Sequence, residues 1–159
     1  MEISGTSVSL MPSLLDRLID PDSLGQGAEA KVLTRLIESV RRDLEHLLNT
    51  RQNEDPELSQ YPELAQSVFA YGMPELISRP AISGPERQRI AQLIRETIRR
   101  FEPRIAEVQT ILLSPANSLD RQLRFRIEGK LRVEPAPVIE FETLLELSTG
   151  QTTVIPEQL

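Results

Sequence analysis

Residues 123–147 read LRFRIEGKLRVEPAPVIEFETLLEL, and apolar residues alternate with polar, mostly charged ones through much of this stretch. From Leu123 to Val133 every second residue is apolar or glycine, and the same period of two returns from Ile139 to Leu147. A period of two is typical of a strand with one buried and one solvated face. Two such strands, joined by a Pro-Ala-Pro segment at residues 135–137, predict an antiparallel hairpin.

The charges on the outer face predict the register of this hairpin. We expect Val133 opposite Ile139, Leu131 opposite Phe141 and Ile127 opposite Leu145, because the outer face then pairs Arg132 with Glu140, Lys130 with Glu142 and Arg126 with Glu146. A slip of one residue on each strand would set Glu128 against Glu142, and like charges directly opposite are destabilising. The basic row Arg124, Arg126, Lys130 and Arg132 has two readings, an anionic-ligand patch or a face neutralised by these glutamates. The pattern favours the second.

The residues before this hairpin predict helices. Two long amphipathic segments, 29–50 and 85–101, repeat apolar residues at offsets of three, four and seven. Shorter helices are predicted over 13–19 and 63–70, the second closed by Gly72 in a left-handed conformation. Pro103 ends the second long helix. A strand over 104–114, with Ala106, Val108, Thr110 and Leu112 on one face, and a short strand after Gly150 complete the chain.

This order predicts the α+β class, with N-terminal helices, two of them long, packed on a small antiparallel sheet of three to four strands. We expect one domain over residues 1–159, with a flexible segment at 1–11, a helical part at 13–102 and a sheet part at 104–155. Neither a secretory signal at the N-terminus nor an apolar run of membrane-spanning length is present, so we expect a cytoplasmic protein without direct membrane insertion. The formal net charge of −6 argues against a nucleic-acid partner.

The residue types that carry catalysis are sparse. The chain has no cysteine, and His46 is its one histidine, so zinc binding and a serine-type triad are not expected. No glycine-rich phosphate loop is present. We therefore predict no catalytic residues, no metal and no cofactor. The best candidate for a catalytic acid is Glu102, beside Phe101, but glycoside hydrolysis needs two carboxyl groups. The favoured reading of Glu102 is a structural residue at a helix end, paired with Arg104 or another cation.

Five segments together resemble the TssE family of type VI secretion systems, which also covers the small wedge subunit of contractile phage baseplates. They are residues 13–18 (SLLDRL), 39–51 (SVRRDLEHLLNTR), 71–76 (YGMPEL), 101–104 (FEPR) and 125–129 (FRIEG). The second segment and the Glu-Pro-Arg tripeptide are the most specific. The segments occur in the family's order and span most of residues 13–150.

The resemblance implies a non-enzymatic structural subunit of the baseplate. Such a subunit joins the wedge core, formed by TssF and TssG beside TssK, to the first ring of sheath proteins. It also implies that Glu102, Pro103 and Arg104 dock on the wedge core, and we expect Arg104→Ala to impair assembly more than monomer folding. An old "lysozyme-like" label keeps a peptidoglycan-cleaving hydrolase as an alternative, and a regulatory binding module resembling an anti-adaptor is another.

Sheath subunits link to their neighbours by exchanging strands, so the resemblance also implies strand addition at an open sheet edge. We expect that edge on the first or the C-terminal strand of the sheet over residues 104–148, and the tail from Thr152 to Leu159 is a candidate to cover it.

Overall fold

The computed structural model describes residues 14–19, 29–53, 56, 60–75, 83–114, 122–133 and 136–156. The helices are α1 (Leu14–Ile19), α2 (Glu29–Asn49), α3 (Pro62–Ala65) and α4 (Gly84–Phe101), with a 3₁₀ turn at Val68–Ala70. The strands are β1 (Ile105–Leu112), β2 (Gln122–Leu131), β3 (Val138–Glu146) and β4 (Thr152–Pro156). Helices followed by a four-stranded antiparallel sheet confirm the α+β prediction. The predicted flexible segment at 1–11 and the first residue of the helix predicted over 13–19 lie outside the described residues.

The sheet has the strand order β1-β2-β3-β4, and every neighbouring pair is antiparallel. Its inner face carries the alternating apolar residues of β2 and β3, which pack against the apolar stripes of α2 and α4. The most deeply buried members are Val40, Leu44, Ile98, Phe125, Ile127 and Phe141. Full burial of one such side chain contributes roughly 1.5–3 kcal/mol, so this interface is the main source of stability among the described elements.

The predicted register between β2 and β3 is wrong. Phe141 lies opposite Ile127 rather than Leu131, and Leu145 lies opposite Leu123. The buried and solvated faces are still as predicted, because the displacement is an even number of residues. The loop between β2 and β3 is longer than the predicted register requires. It begins after Leu131, whose N–H donates to the Pro137 carbonyl (3.0 Å), and the next N–H, of Arg132, donates to the Arg104 carbonyl instead of to β3 (2.8 Å).

The outer face accommodates this register through ion pairs other than the predicted ones. Glu128 lies directly opposite Glu140, an arrangement that the sequence argument treated as unfavourable. A cation offsets it, because Arg126 Nη1 is 3.9 Å from Glu128 Oε1. The Arg124 guanidinium is hydrogen-bonded to Glu142. Lys130 pairs across the sheet with β1, where its Nζ is 2.7 Å from Glu107 Oε2. The glutamates therefore neutralise much of the basic row, as predicted, but with different partners.

A β-bulge in β1 changes which of its residues face inward. The strand buries Ile105 and Val108, whereas the sequence predicted a single face containing Ala106 and Val108. Glu107 has a φ of 52°, and the register shifts between Ala106 and Gln109. One extra residue therefore lies opposite Gly129. A side chain at Gly129 would place its Cβ 2.5 Å from Ile105 Cγ2, so the glycine makes room for the bulge.

The predicted helix over 63–70 is two short pieces instead of one. Ser67 separates α3 from the 3₁₀ turn, because its hydroxyl accepts a hydrogen bond from the Phe69 N–H (3.2 Å) and donates one to the Leu64 carbonyl (2.8 Å). Such local side-chain bonds compete with continued helix. The left-handed Gly72 is confirmed, with a φ of 113°.

Side chains of α2 hold the outer edge of β4. The Asn49 amide accepts a hydrogen bond from the Thr152 N–H (2.8 Å) and donates to the Thr152 carbonyl (2.7 Å), as a neighbouring strand would. Arg41 Nη1 donates to the Val154 carbonyl at 2.9 Å. Residues 152–156 pair with β3, so the predicted covering of that strand is confirmed for this part of the tail, whereas residues 157–159 lie outside the described residues. Among the described residues, no strand lies beyond β1, which leaves β1 as the open edge.

A candidate docking corner between α4 and β1

The chain turns from helix to strand at Glu102, Pro103 and Arg104. The Glu102 N–H makes the last helical hydrogen bond, to the Ile98 carbonyl at 2.8 Å. Pro103 has no N–H with which to continue the helix. The Ile105 N–H then donates to the Glu102 carbonyl at 3.3 Å, and β1 begins. The tripeptide is therefore a corner fixed by the backbone chemistry of its proline.

Within this corner, the Arg104 guanidinium forms a two-point ion pair with the Glu102 carboxylate. Arg104 Nε donates to Glu102 Oε1 at 2.7 Å, and Nη2 donates to Oε2 at 2.5 Å. The backbone N–H of Arg104 also donates to Oε1, at 3.1 Å. Planar two-point pairs of this kind are among the stronger hydrogen bonds in proteins. Glu102 is only 5% exposed, so Arg104 supplies the hydrogen bonds that water would give to an exposed carboxylate.

The same guanidinium reaches across to α2. Arg104 Nη2 donates to Asp43 Oδ2 at 2.7 Å, and Nη1 donates to the Ser39 hydroxyl at 3.1 Å. Ser39 in turn donates to Asp16 of α1 at 2.5 Å. Arg42 Nη1 is 2.9 Å from Asp16, and its Nη2 is 3.1 Å from Asp43. We call this set the corner network; its members are Asp16, Ser39, Arg42, Asp43, Glu102 and Arg104. It fastens α1 and α2 to the start of the sheet.

The electrostatics of the network favour its charged arginines. Burial opposes the charge of Arg104, but the hydrogen bonds and charges of Glu102 and then Asp43 outweigh burial and raise its pKa. The hydrogen bond to Asp16 likewise raises the pKa of Arg42. Tyr71 stands beside the network with its ring against Phe101, at 5.4 Å between centroids. Burial, and next the nearby negative charge of Asp43, raise the pKa of Tyr71, so the neutral phenol is favoured.

Of the three residues that the resemblance placed at a docking site, the structure exposes Pro103 and turns the other two side chains inward. The favoured reading of Glu102, a helix-end residue paired with Arg104, is confirmed. Ser39 and Asp43 belong to the same constellation but were not predicted as site residues. The available signal was their spacing of one helical turn beside the apolar stripe of α2.

His46 is exposed on α2, and the residues that the structure describes contain no group of three or more histidine, cysteine or carboxylate side chains that could hold a metal. None of the helices that the structure describes combines the length and the apolar character needed to cross a membrane.

Exposed apolar side chains form a second notable surface. Val68 is 89% exposed and Phe69 is 53% exposed, and Tyr61 and Leu64 of the adjoining segment are also accessible. Separately, Leu18 and Ile19 of α1 are 80% and 70% exposed. Clusters of exposed large apolar residues are typical of interaction surfaces.

The fold and the corner together define a small α+β protein whose two long helices are tied to an antiparallel sheet, with ion pairs at the joint. The family model described as baseplate wedge protein gp25 matches residues 34–136, a span that contains most of α2, all of α4, β1 and β2, and the whole corner turn. The chain therefore belongs to the baseplate wedge protein gp25 family. TssE proteins belong to this family, which confirms the resemblance drawn from the five sequence segments. Searches of curated proteins and of solved structures returned no significant match.

Proposed function

We propose that this chain is a non-enzymatic structural subunit in the cytoplasmic baseplate of a type VI secretion machine. In this role it joins the wedge core of TssF and TssG, beside TssK, to the first ring of the contractile sheath. Membership of a family of structural baseplate proteins supports the general role. The observation that carries the specific proposal is the corner turn, whose buried ion pairs hold one exposed residue, Pro103, in a fixed position.

The corner suits docking because it is organised before any partner arrives. Ion pairs to two elements immobilise Arg104, so little side-chain freedom remains to be lost when a partner binds. Pro103 has a fixed φ and an apolar ring facing solvent. We expect Glu102 and Arg104 to contribute by holding this surface in place and Pro103 to touch the wedge core. Association with purified TssF–TssG tests the docking.

Strand addition at β1 is the proposed link to the sheath. The Leu113 N–H donates to the Arg124 carbonyl at 2.9 Å, so Leu113, Ile111 and Gln109 use their backbone groups toward β2. In an antiparallel pair the alternate residues, Thr110 and Leu112, then point their N–H and C=O groups outward. The opposite edge is already occupied by Asn49 and Arg41. Among the described strands, β1 is therefore the one whose outer edge can pair with an added strand.

Proline at position 112 tests the strand-addition proposal. We expect Leu112→Pro to fold, because it removes an N–H with no partner inside the described sheet, and to stop recruitment of the first sheath ring. Leu112→Ala is the matched control, since it shortens the same side chain but keeps the N–H, and it should still recruit sheath. Sheath assembly on purified baseplates, observed by electron microscopy, is the measurement. Normal assembly with Leu112→Pro would exclude this edge.

The hydrolase alternative predicts an activity that we do not expect. Both carboxylate oxygens of Glu102 are engaged by Arg104, and a glycosidase would need a second carboxyl group facing a common cleft. We expect pure protein to release no peptidoglycan fragments above a buffer control, as measured by dye-release from labelled sacculi. Turnover that Glu102→Gln abolishes, in a variant that remains folded, would overturn the non-enzymatic proposal.

A further inference from the structure

Three exposed arginines lie close to the corner turn, two in sequence and one through a backbone hydrogen bond. Arg99 and Arg100 lie in the last turn of α4, immediately before the corner. Arg132 follows β2, and its N–H donates to the Arg104 carbonyl at 2.8 Å, which places its backbone beside the last residue of the corner. Among the described residues, none of the three forms a salt bridge. We call Arg99, Arg100 and Arg132 the corner arginines.

Three carboxylates near the corner, among the described residues, are engaged elsewhere. Glu96, one turn before Arg99 and Arg100, accepts a hydrogen bond from Gln92 at 3.0 Å. Glu107 pairs with Lys130, and Glu102 is held by Arg104. Arg100 lies over the Phe101 ring, with its Cζ 5.8 Å from the ring centroid. A cation held over an aromatic face keeps its hydrogen-bond donors available for another partner.

A contribution to fold stability explains the positions of only two of these three arginines. Arginines in the last turn of a helix interact favourably with its dipole, by about 0.3–1 kcal/mol each. This reason applies to Arg99 and Arg100 but not to Arg132, which lies outside any helix. The helix dipole therefore leaves the position of Arg132 beside the corner unexplained.

We propose that the corner arginines bind an acidic segment of the wedge core, with its Asp and Glu carboxylates arranged around the site where Pro103 docks. Guanidinium groups match carboxylates in two-point geometry, which would fix the orientation of the partner as well as attract it. Attraction between complementary charges chiefly raises the rate of association and makes it sensitive to salt. This inference rests on the proposed docking of the wedge core at the corner.

The test uses the full chain and purified TssF–TssG complex. The variant R99Q/R100Q/R132Q removes three charges, and Arg89→Gln is the control because Arg89 is an exposed arginine near the start of α4 without a salt bridge among the described residues. Affinity and association rate are measured at about 50 mM and about 300 mM salt, which brackets strong and weak screening. We expect the triple variant to bind at least about tenfold more weakly at low salt and to lose most of the salt dependence. Arg89→Gln should stay within about twofold of the original chain, as expected for a charge outside the contact.

The outcomes separate this inference from the docking proposal. If the triple variant binds like the original chain while Pro103→Ala does not, the acidic-partner inference is wrong and docking at the corner stands. If neither change weakens binding, docking at the corner itself is wrong. An equal loss with Arg89→Gln would reduce the effect to overall charge and also overturn the inference. The variant R99K/R100K/R132K guards against misfolding, because it keeps the charges and should keep the salt dependence.

Discussion

Replacing Arg104 with alanine should lower the free energy of unfolding by about 3–5 kcal/mol, the usual consequence of removing one member of a buried ion pair. Glu102 would remain in a site that is 5% exposed, without the guanidinium that holds both its oxygens. Asp43 and Ser39 would lose the donors that join α2 to the corner. We expect the loss to appear as a lower midpoint in urea unfolding followed by circular dichroism.

Two further substitutions calibrate this result. Arg99→Ala removes an exposed arginine with no ion pair among the described residues, and it should change the free energy of unfolding by no more than about 0.5 kcal/mol. Arg104→Lys should fall between the two, because an ammonium keeps the charge but cannot form the planar two-point pair. A loss below about 1 kcal/mol for Arg104→Ala would mean that the corner network contributes little to folding.

This predicted loss of stability differs from the effect of Arg104→Ala that was expected from the sequence. The resemblance alone suggested that Arg104→Ala would damage assembly more than folding. The internal partners of Arg104 now predict a clear folding defect as well, so this substitution cannot by itself report on docking. Pro103, which is exposed, separates the two effects better.

Gly72→Ala should cost at least about 3 kcal/mol, because it combines backbone strain with a clash. The φ of 113° at Gly72 is one that residues with a side chain rarely adopt, and a Cβ there would lie 2.4 Å from the Thr50 carbonyl oxygen. That oxygen accepts a hydrogen bond from the Met73 N–H at 2.8 Å, so it cannot move aside without weakening the link between the two segments. The measurement is again urea unfolding.

Gly84→Ala is the matched control for this substitution. Gly84 is the first residue of α4, and apart from its chain neighbours and the adjacent helix backbone no atom lies within 4 Å of where its Cβ would be. Alanine should therefore stabilise the protein slightly, by up to about 1 kcal/mol, through the lower entropy of the unfolded chain. Equal effects of the two substitutions would contradict the close approach at Gly72.

The class, the order of elements and the faces of β2 and β3 followed from sequence periodicity, because burial of one face imposes a period of two on these strands. The register did not follow. Pairing of charges was taken to decide it, but exposed ion pairs contribute little, typically below about 1 kcal/mol. The hydrogen bond from Arg132 to the Arg104 carbonyl ties the end of β2 to β1, and nothing in the local pattern announces it. The bulge at Glu107 was not predicted either, because the local sequence pattern gives no sign of it.

The site was predictable only in part. The tripeptide at residues 102–104 was identified through the family resemblance, and the pairing of Glu102 with Arg104 followed from their nearness in sequence. Asp43 lies 61 residues from Arg104, so its contact depends on how α2 crosses the end of α4. Residue spacing within one element cannot give that relation. The corner arginines were likewise separated, since Arg132 approaches the corner only through the pairing of β1 with β2.

The most direct test of the account is the affinity of the purified chain for purified TssF–TssG, measured by isothermal titration calorimetry for the original sequence, Pro103→Ala and Pro85→Ala. Pro85 is an exposed proline near the start of α4 and serves as the matched control. We expect the original chain and Pro85→Ala to bind alike, and Pro103→Ala to bind at least about tenfold more weakly while losing only about 0.4–1 kcal/mol of unfolding free energy. Failure of the original chain to bind, or equal affinity for Pro103→Ala, would contradict docking of the wedge core at this corner.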